Sequence, residues 1–297
     1  MIDDAARRFT DDELKRAEER MRREFQRAYD TLNDKWAGYM AEHSAESKRL
    51  LEAVDAARES GSKTAVRRAE QKYRRYMKEH TLEDGRYQQL RNTLAATLAD
   101  IDEAAAAILN GQLPSIYTVN FNALASELPA GYTYGLITPQ TVRNLTLRTV
   151  DYQAIVKWNI EMMNSQVLQG ILLGESMDDI ARRFEKVFNA NYADAIRTAR
   201  TAVTQAENQG RYDSYKEAEA DGTVLVKVWS ATADARTRDS HAENNGLERE
   251  LDQPFPNGQM LPGDTDGVPP SEYMNCRCAL GTRIIGFRRK DGSIRYV

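Results

Sequence analysis

Between Asp11 and Glu59 bulky residues recur at helical spacing without a break, and that pattern fixes the start of the chain as helical whatever follows. Leu14, Met21, Phe25, Leu32, Trp36, Met40, Leu50 and Val54 share one face, and Ala17, Ala28 and Ala57 fill it. The segment reads as one long amphipathic helix or as two in register. Thr10, with Glu13 three residues later, has the form of a capping box and predicts the helix start. "SGSK", residues 60 to 63, breaks the pattern, and a second helix is expected from Thr64 to about His80. A third is expected from about Leu82 to Leu109, stopping at "NGQLP", where Gly111 and Pro114 act as breakers. Residues 1–113 thus read as a long, charged helical hairpin or bundle.

Between Pro114 and Thr138 the composition shifts from Lys and Glu to Tyr, Asn, Pro and Gly, so residues 114–137 are read as a linker between two domains. Helices are expected from Pro139 to about Leu147, from Asp151 to about Leu173, from an N-cap at Ser176 with Asp178 and Asp179 in its first turn, and from about Ala193 to Ala220. "TVLVKVWS", residues 223–230, alternates Val224, Val226 and Val228 against Leu225, Lys227 and Trp229, a strand with at least one buried face. Asp291-Gly292 between two β-rich runs predicts a closing hairpin. The fold class is therefore α+β and predominantly helical, with a small antiparallel sheet at the C-terminal end of a 138–297 domain.

The 297 residues suffice for two domains, and 41% hydrophobic with 29% charged residues fits a soluble globular chain rather than a disordered one. A net charge of -4 argues against a general nucleic-acid binder. No window approaches the roughly eighteen apolar residues of a membrane span, and the charged first residues do not read as a signal peptide. Cys276 and Cys278 are the two cysteines, which excludes a disulfide framework and fits synthesis in a reducing cytoplasm.

The chemistry-bearing residues gather near the C-terminus. Asp239 and His241, two residues apart, could serve as a base pair in catalysis, yet the segment reads as a loop and no nucleophile is tied to it by spacing. His241, Cys276 and Cys278, with Asp239 as a fourth donor, make a set suited to zinc. The C-x-C spacing strains tetrahedral ligation by both thiolates, so these groups are read as structural and no metal or other cofactor is assigned. Arg236, Arg238 and Arg277 are expected to lock the loop by forking onto carboxylates and carbonyls. Neither Gly-rich phosphate-loop pattern is present. In the N-terminal region, Lys63, Arg67, Arg68, Lys72, Arg74, Arg75 and Lys78 lie within sixteen positions beside a single acid, Glu70, and form a candidate DNA-contacting face.

Taken in order, "ARTAVTQAENQGRYDSY", "VWSATADARTRDSHAENNG", "DQPFPNGQMLPGD" and "PPSEYMNCRCAL" resemble the phage head morphogenesis family, the Mu-type minor head proteins of tailed phages, over about residues 138–285. The family pattern falls on Arg200, Thr201, Asn208, Trp229, Asp234, Arg236, Thr237, Arg238, His241, Gly246, Phe255, Pro262, Asn275, Cys276, Arg277 and Cys278. Arg238 and His241 occupy loop positions where many relatives have cysteines. The resemblance implies a structural protein of the virion, made in the host cytoplasm and placed in the capsid interior or at the portal vertex, assisting procapsid assembly and DNA packaging or ejection. Implied partners are the portal protein, major capsid or scaffold protein, packaged DNA and a second copy of the chain, with no membrane. A nuclease or transferase using Asp239, His241 and the nearby arginines is the alternative, since this domain also occurs joined to toxin modules.

Overall fold

The computed structural model describes residues 4–81, 85–129, 135–139, 165, 166, 169, 173, 175 and 177–297. The helices expected at 139–147 and 151–173 and the cap at Ser176 fall largely or wholly outside these, as do the side chains of Leu32, Trp36 and Met40. Helix α1 spans Asp4–Glu59, α2 Lys63–Thr81, α3 Gly85–Ala123 and α4 Met177–Ala220. They precede strand β1 at Thr223–Ser230, the short helix α5 at Asp239–Glu243, β2 at Glu248–Arg249, the one-turn helix α6 at Pro270–Tyr273, β3 at Ala279–Arg288 and β4 at Ile294–Tyr296.

Three boundaries differ from the sequence expectation, each for a reason visible in the packing. Thr10 lies inside α1, where its hydroxyl donates to the Ala6 carbonyl 3.1 Å away and accepts from Asn120 Nδ2 at 2.8 Å, so it is a buried bridge rather than a cap. Helix α3 continues through Gly111 and Pro114 to Ala123. A helical proline costs roughly 3 kcal/mol, whereas each fully buried large apolar side chain contributes about 1.5–3 kcal/mol, and Ile116, Tyr117 and Phe121 are all buried beyond Pro114. Residues 114–123 are thus helix rather than linker. The two helices expected before and after residue 193 form one, α4, because the apolar face continues through Val187, Ala195, Ala199 and Val203.

The described chain divides into two compact units: residues 1–20, 107–150 and 196–297 in one, residues 21–106 and 151–195 in the other. In the second, Met21, Phe25, Val54, Tyr73, Met77, Ile101 and Val187 are buried, and Phe25 meets the rings of Phe188 and Tyr192 at 5.8 and 5.2 Å. In the first, a four-stranded antiparallel sheet of order β2-β1-β3-β4 packs its inner face into a core of Tyr117, Phe121, Leu124, Tyr212, Tyr215, Trp229, Phe255 and Leu280. The buried face of β1 is the one bearing Thr223, Leu225, Lys227 and Trp229, with Val226 also buried. The Asp291-Gly292 hairpin forms as expected: Gly292 has φ +83°, and Arg289 N–H donates to Ser293 O at 2.8 Å.

Candidate functional site

The loop after β1 is held first by its own polar groups. The Asp234 carboxylate accepts from the Arg236 backbone N–H at 3.0 Å, and Thr237 N–H returns to Asp234 O at 3.0 Å, closing a tight turn. The same carboxylate receives both arms of the Arg277 guanidinium, at 2.5 and 2.7 Å, which pins the loop to the segment before β3. Arg277 and then the Arg236 N–H hold the Asp234 carboxyl well below the usual carboxylate range. Thr232 Oγ1 donates to Arg277 O at 2.7 Å, Thr237 Oγ1 donates to Thr232 O, and Arg238 donates to Met274 O. Arg236 itself is exposed, reaches Asp234 only at 3.8 Å and does not cross to Asn275–Cys278. Gly246, with φ +77°, brings its N–H to Trp229 O at 2.8 Å and joins the end of this loop back to β1.

Helix α4 presents a row of short polar side chains one turn apart to the Asn275–Cys278 backbone. Thr201 Oγ1 accepts from Asn275 N–H at 2.8 Å, and Asn275 is the one described non-glycine residue with positive φ, a conformation asparagine tolerates. One turn on, Thr204 Oγ1 donates to Cys276 O at 2.7 Å. The next turn carries Asn208, fully buried, whose amide donates to Cys278 O and Pro262 O at 3.1 and 3.0 Å and whose carbonyl accepts from Leu280 N–H at 2.7 Å. The i, i+3, i+7 spacing keeps all three side chains on one face of α4, toward the backbone of residues 275–280. Arg200, on a different face, pairs with Glu18 at 2.7 Å. Phe255 meets the Trp229 ring edge-on at 5.0 Å and closes the floor of the core.

Between loop and helix sits a buried trio. α5 turns His241 inward, 1% exposed, against the edge of Trp229, and its Nδ1 lies 3.6 Å from Cys276 Sγ and 3.3 Å from Cys278 Sγ. Both cysteines are buried free thiols. Cys278 is pulled below the usual thiol range by the hydrogen bond from Cys276 and by His241, and Cys276 is pushed up by the same contact with Cys278 and by burial. The other ring nitrogen, His241 Nε2, approaches Glu272 Oε2 at 3.3 Å without the alignment of a full hydrogen bond. Glu272 is steadied by Ser240 Oγ at 3.0 Å and Asn257 Nδ2 at 3.3 Å. Asp239, at the exposed start of α5, is not among the imidazole's polar neighbours, so the sequence pair Asp239/His241 does not assemble.

Glu272, Thr204 and the Thr10–Asn120–Arg211 bridge were not legible as site residues, because each acts from a distant segment that no local spacing marks. Asn120 Oδ1 accepts from Arg211 Nε at 3.0 Å while its Nδ2 reaches Thr10, which fastens α1 and α3 to α4 within the same unit. In the other unit, Lys63, Arg67, Arg68, Lys72, Arg74, Arg75 and Lys78 are all exposed on α2. Arg75 pairs with Glu79 at 2.7 Å, and Glu70, the acid inside the cluster, pairs with Arg58 from outside it at 3.1 Å.

The stretch that holds this arrangement, a helix clamped to the Cys-Arg-Cys segment with a polar loop beneath, matches a known sequence family. Residues 161–281 match the model of the family described as Phage Mu protein F like protein, so that stretch of the chain is similar to this family. The chain is 29% identical over 214 residues to Minor head protein GP7 of Bacillus phage SPP1, covering 64% of this chain and 68% of that protein. It is also 30% identical over 141 residues to NAD(+)--arginine ADP-ribosyltransferase EFV of Enterococcus faecalis (strain ATCC 700802 / V583), covering 47% of this chain and only 28% of that enzyme. No solved structure matches the chain.

Proposed function

We propose that this chain works as a minor head protein bound at the portal and inside the procapsid, assisting assembly and DNA packaging or ejection. The observation that carries the reading is the extent of the likeness to the SPP1 minor head protein: it takes in 64% of this chain, a longer stretch than residues 161–281 alone. Within the domain the polar residues around the Asn275–Cys278 segment are spent on each other. Asp234, Arg277, Thr201, Thr204 and Asn208 satisfy one another or the local backbone, which suits a rigid module whose task is to be built into an assembly.

The helical region supplies surfaces for partners: portal protein first, then major capsid or scaffold protein, a second copy, and packaged DNA along the exposed basic side chains of α2. The enzymatic alternative gains no support from the geometry, because His241 faces two thiols and Glu272 rather than Asp239. Co-expression of the full chain with the portal protein of the same phage, followed by affinity purification at two salt concentrations, tests the portal assignment. Portal rings carrying the chain at near-physiological salt are the expected result. Recovery of the chain free of portal protein, in both co-expression and infected-cell extracts, would overturn it.

A further inference from the structure

The buried trio has the dimensions of a metal site. Tetrahedral zinc with bonds of about 2.0–2.3 Å sets neighbouring donor atoms about 3.4–3.8 Å apart. Here Nδ1 of His241 stands 3.3 and 3.6 Å from the two sulfurs, and the three donor atoms lie within 4.8 Å of one another. The C-x-C spacing does not prevent this, because Cys276 and Cys278 flank Arg277 in a segment where side chains alternate, so both thiols face the imidazole while Arg277 turns away to Asp234. The Cys278 N–H lies 3.4 Å from Cys276 Sγ, a donor placed to steady a thiolate. All three side chains are almost fully buried, at 1%, 1% and 4% exposure, in a pocket backed by Trp229.

The second nitrogen of the imidazole completes the argument. Metal-bound histidines commonly give their other N–H to a carboxylate, which fixes the ring. Glu272 Oε2 sits 3.3 Å from Nε2 and is itself held by Ser240 and Asn257. That placement gives Nε2 a partly buried carboxylate neighbour on the side of the ring away from the two sulfurs. Two sulfurs and an imidazole exclude hard cations such as magnesium or calcium and favour zinc among the common divalent ions.

We propose that His241 Nδ1, Cys276 Sγ and Cys278 Sγ bind one zinc ion, with a water in the fourth position and Glu272 as the positioning residue for His241. Binding takes both sulfurs as thiolates and Nδ1 unprotonated, so whatever protons these three groups carry leave to solvent as two Zn–S bonds and one Zn–N bond form, with no change of oxidation state. The site would join α5 to the segment before β3, adding a metal crosslink to the Asp234–Arg277 ion pair.

The test is elemental analysis of the untagged full chain, purified under reducing conditions from zinc-supplemented cells. About one zinc per chain is expected, falling at least tenfold in His241→Ala and in Cys276→Ser, while Glu272→Gln retains the ion with affinity weakened about 10- to 100-fold. Because the first two variants lose buried groups and could unfold, the unaltered chain is also stripped with chelator and titrated with cobalt(II). Sulfur-to-cobalt charge transfer and intense tetrahedral ligand-field bands should appear, and zinc should displace them. Less than about a tenth of an equivalent of zinc together with no cobalt spectrum would overturn the proposal. So would zinc that persists undiminished in both ligand variants, or a Cys276–Cys278 disulfide in protein purified from the reducing cytoplasm.

Discussion

Lys227 is fully buried in the middle of β1, on the face that enters the core. Its ammonium donates to Leu251 O at 2.9 Å and lies 5.3 and 5.4 Å from the rings of Tyr212 and Phe255. Burial pushes its pKa down from 10.5 to about 8. A lysine with a depressed folded-state pKa binds fewer protons than the unfolded chain between those two values, so its penalty is full below pH 8 and is relieved as pH rises from about 8 to 10.5. Lys227→Met should therefore raise the unfolding free energy at pH 7 by about 1–3 kcal/mol, given about 1.4 kcal/mol per pKa unit and the lost hydrogen bond. Leu251 O keeps the Tyr212 hydroxyl at 2.8 Å, so no carbonyl is orphaned. Urea denaturation of both proteins at pH 7 and pH 10 checks this: the gap should shrink at pH 10, and a variant less stable at both pH values would contradict the account. The alternation in "TVLVKVWS" made the strand legible, but it could not say that the lysine belongs to the buried side, because that choice depends on an acceptor from residue 251.

At the scale of elements, periodicity carried the long helices well and local breakers carried their ends poorly. Gly111 and Pro114 looked like a stop, yet α3 runs through them because its continuation buries Tyr117 and Phe121 against α4. The contact is close at Gly210, where an added Cβ would stand 2.5 Å from the Tyr117 carbonyl oxygen. Gly210→Ala should thus destabilise the chain by about 1–3 kcal/mol, even though alanine gains about 1 kcal/mol over glycine in a helix interior. A thermal melt at unchanged or higher temperature would show that the helices do not approach so closely. For α2 the expected outcome concerns binding. Replacing Arg67, Arg68, Arg74 and Arg75 with glutamine should weaken affinity for duplex DNA at low salt and flatten its dependence on salt. Equal binding and equal slope in the two proteins would remove DNA from the proposed partners.

For the whole molecule, the sequence pointed to a boundary at residues 114–137, whereas the packing places residues 1–20 and 107–150 in one unit with residues 196–297. Composition changes mark where a chain becomes less charged, and over residues 114–123 that change reflects burial of α3. A fragment of residues 138–297 would lose Tyr117, Phe121 and Leu124 from its core and the Asn120 bridge to Arg211. It should lack cooperative thermal unfolding and a near-ultraviolet dichroism signal, and a sharp transition in that fragment would restore the boundary read from sequence. The family motif itself was legible because its residues cluster in four short stretches, while its partners on α1, α3 and α6 were not, being set by tertiary contacts alone. The most direct measurement of the central claim is the protein composition of purified, DNA-filled heads from an infection in which this chain is made. The account predicts that quantitative mass spectrometry finds the chain in those heads at a small, fixed ratio to portal protein, and chain confined to the soluble lysate with heads free of it would contradict the account.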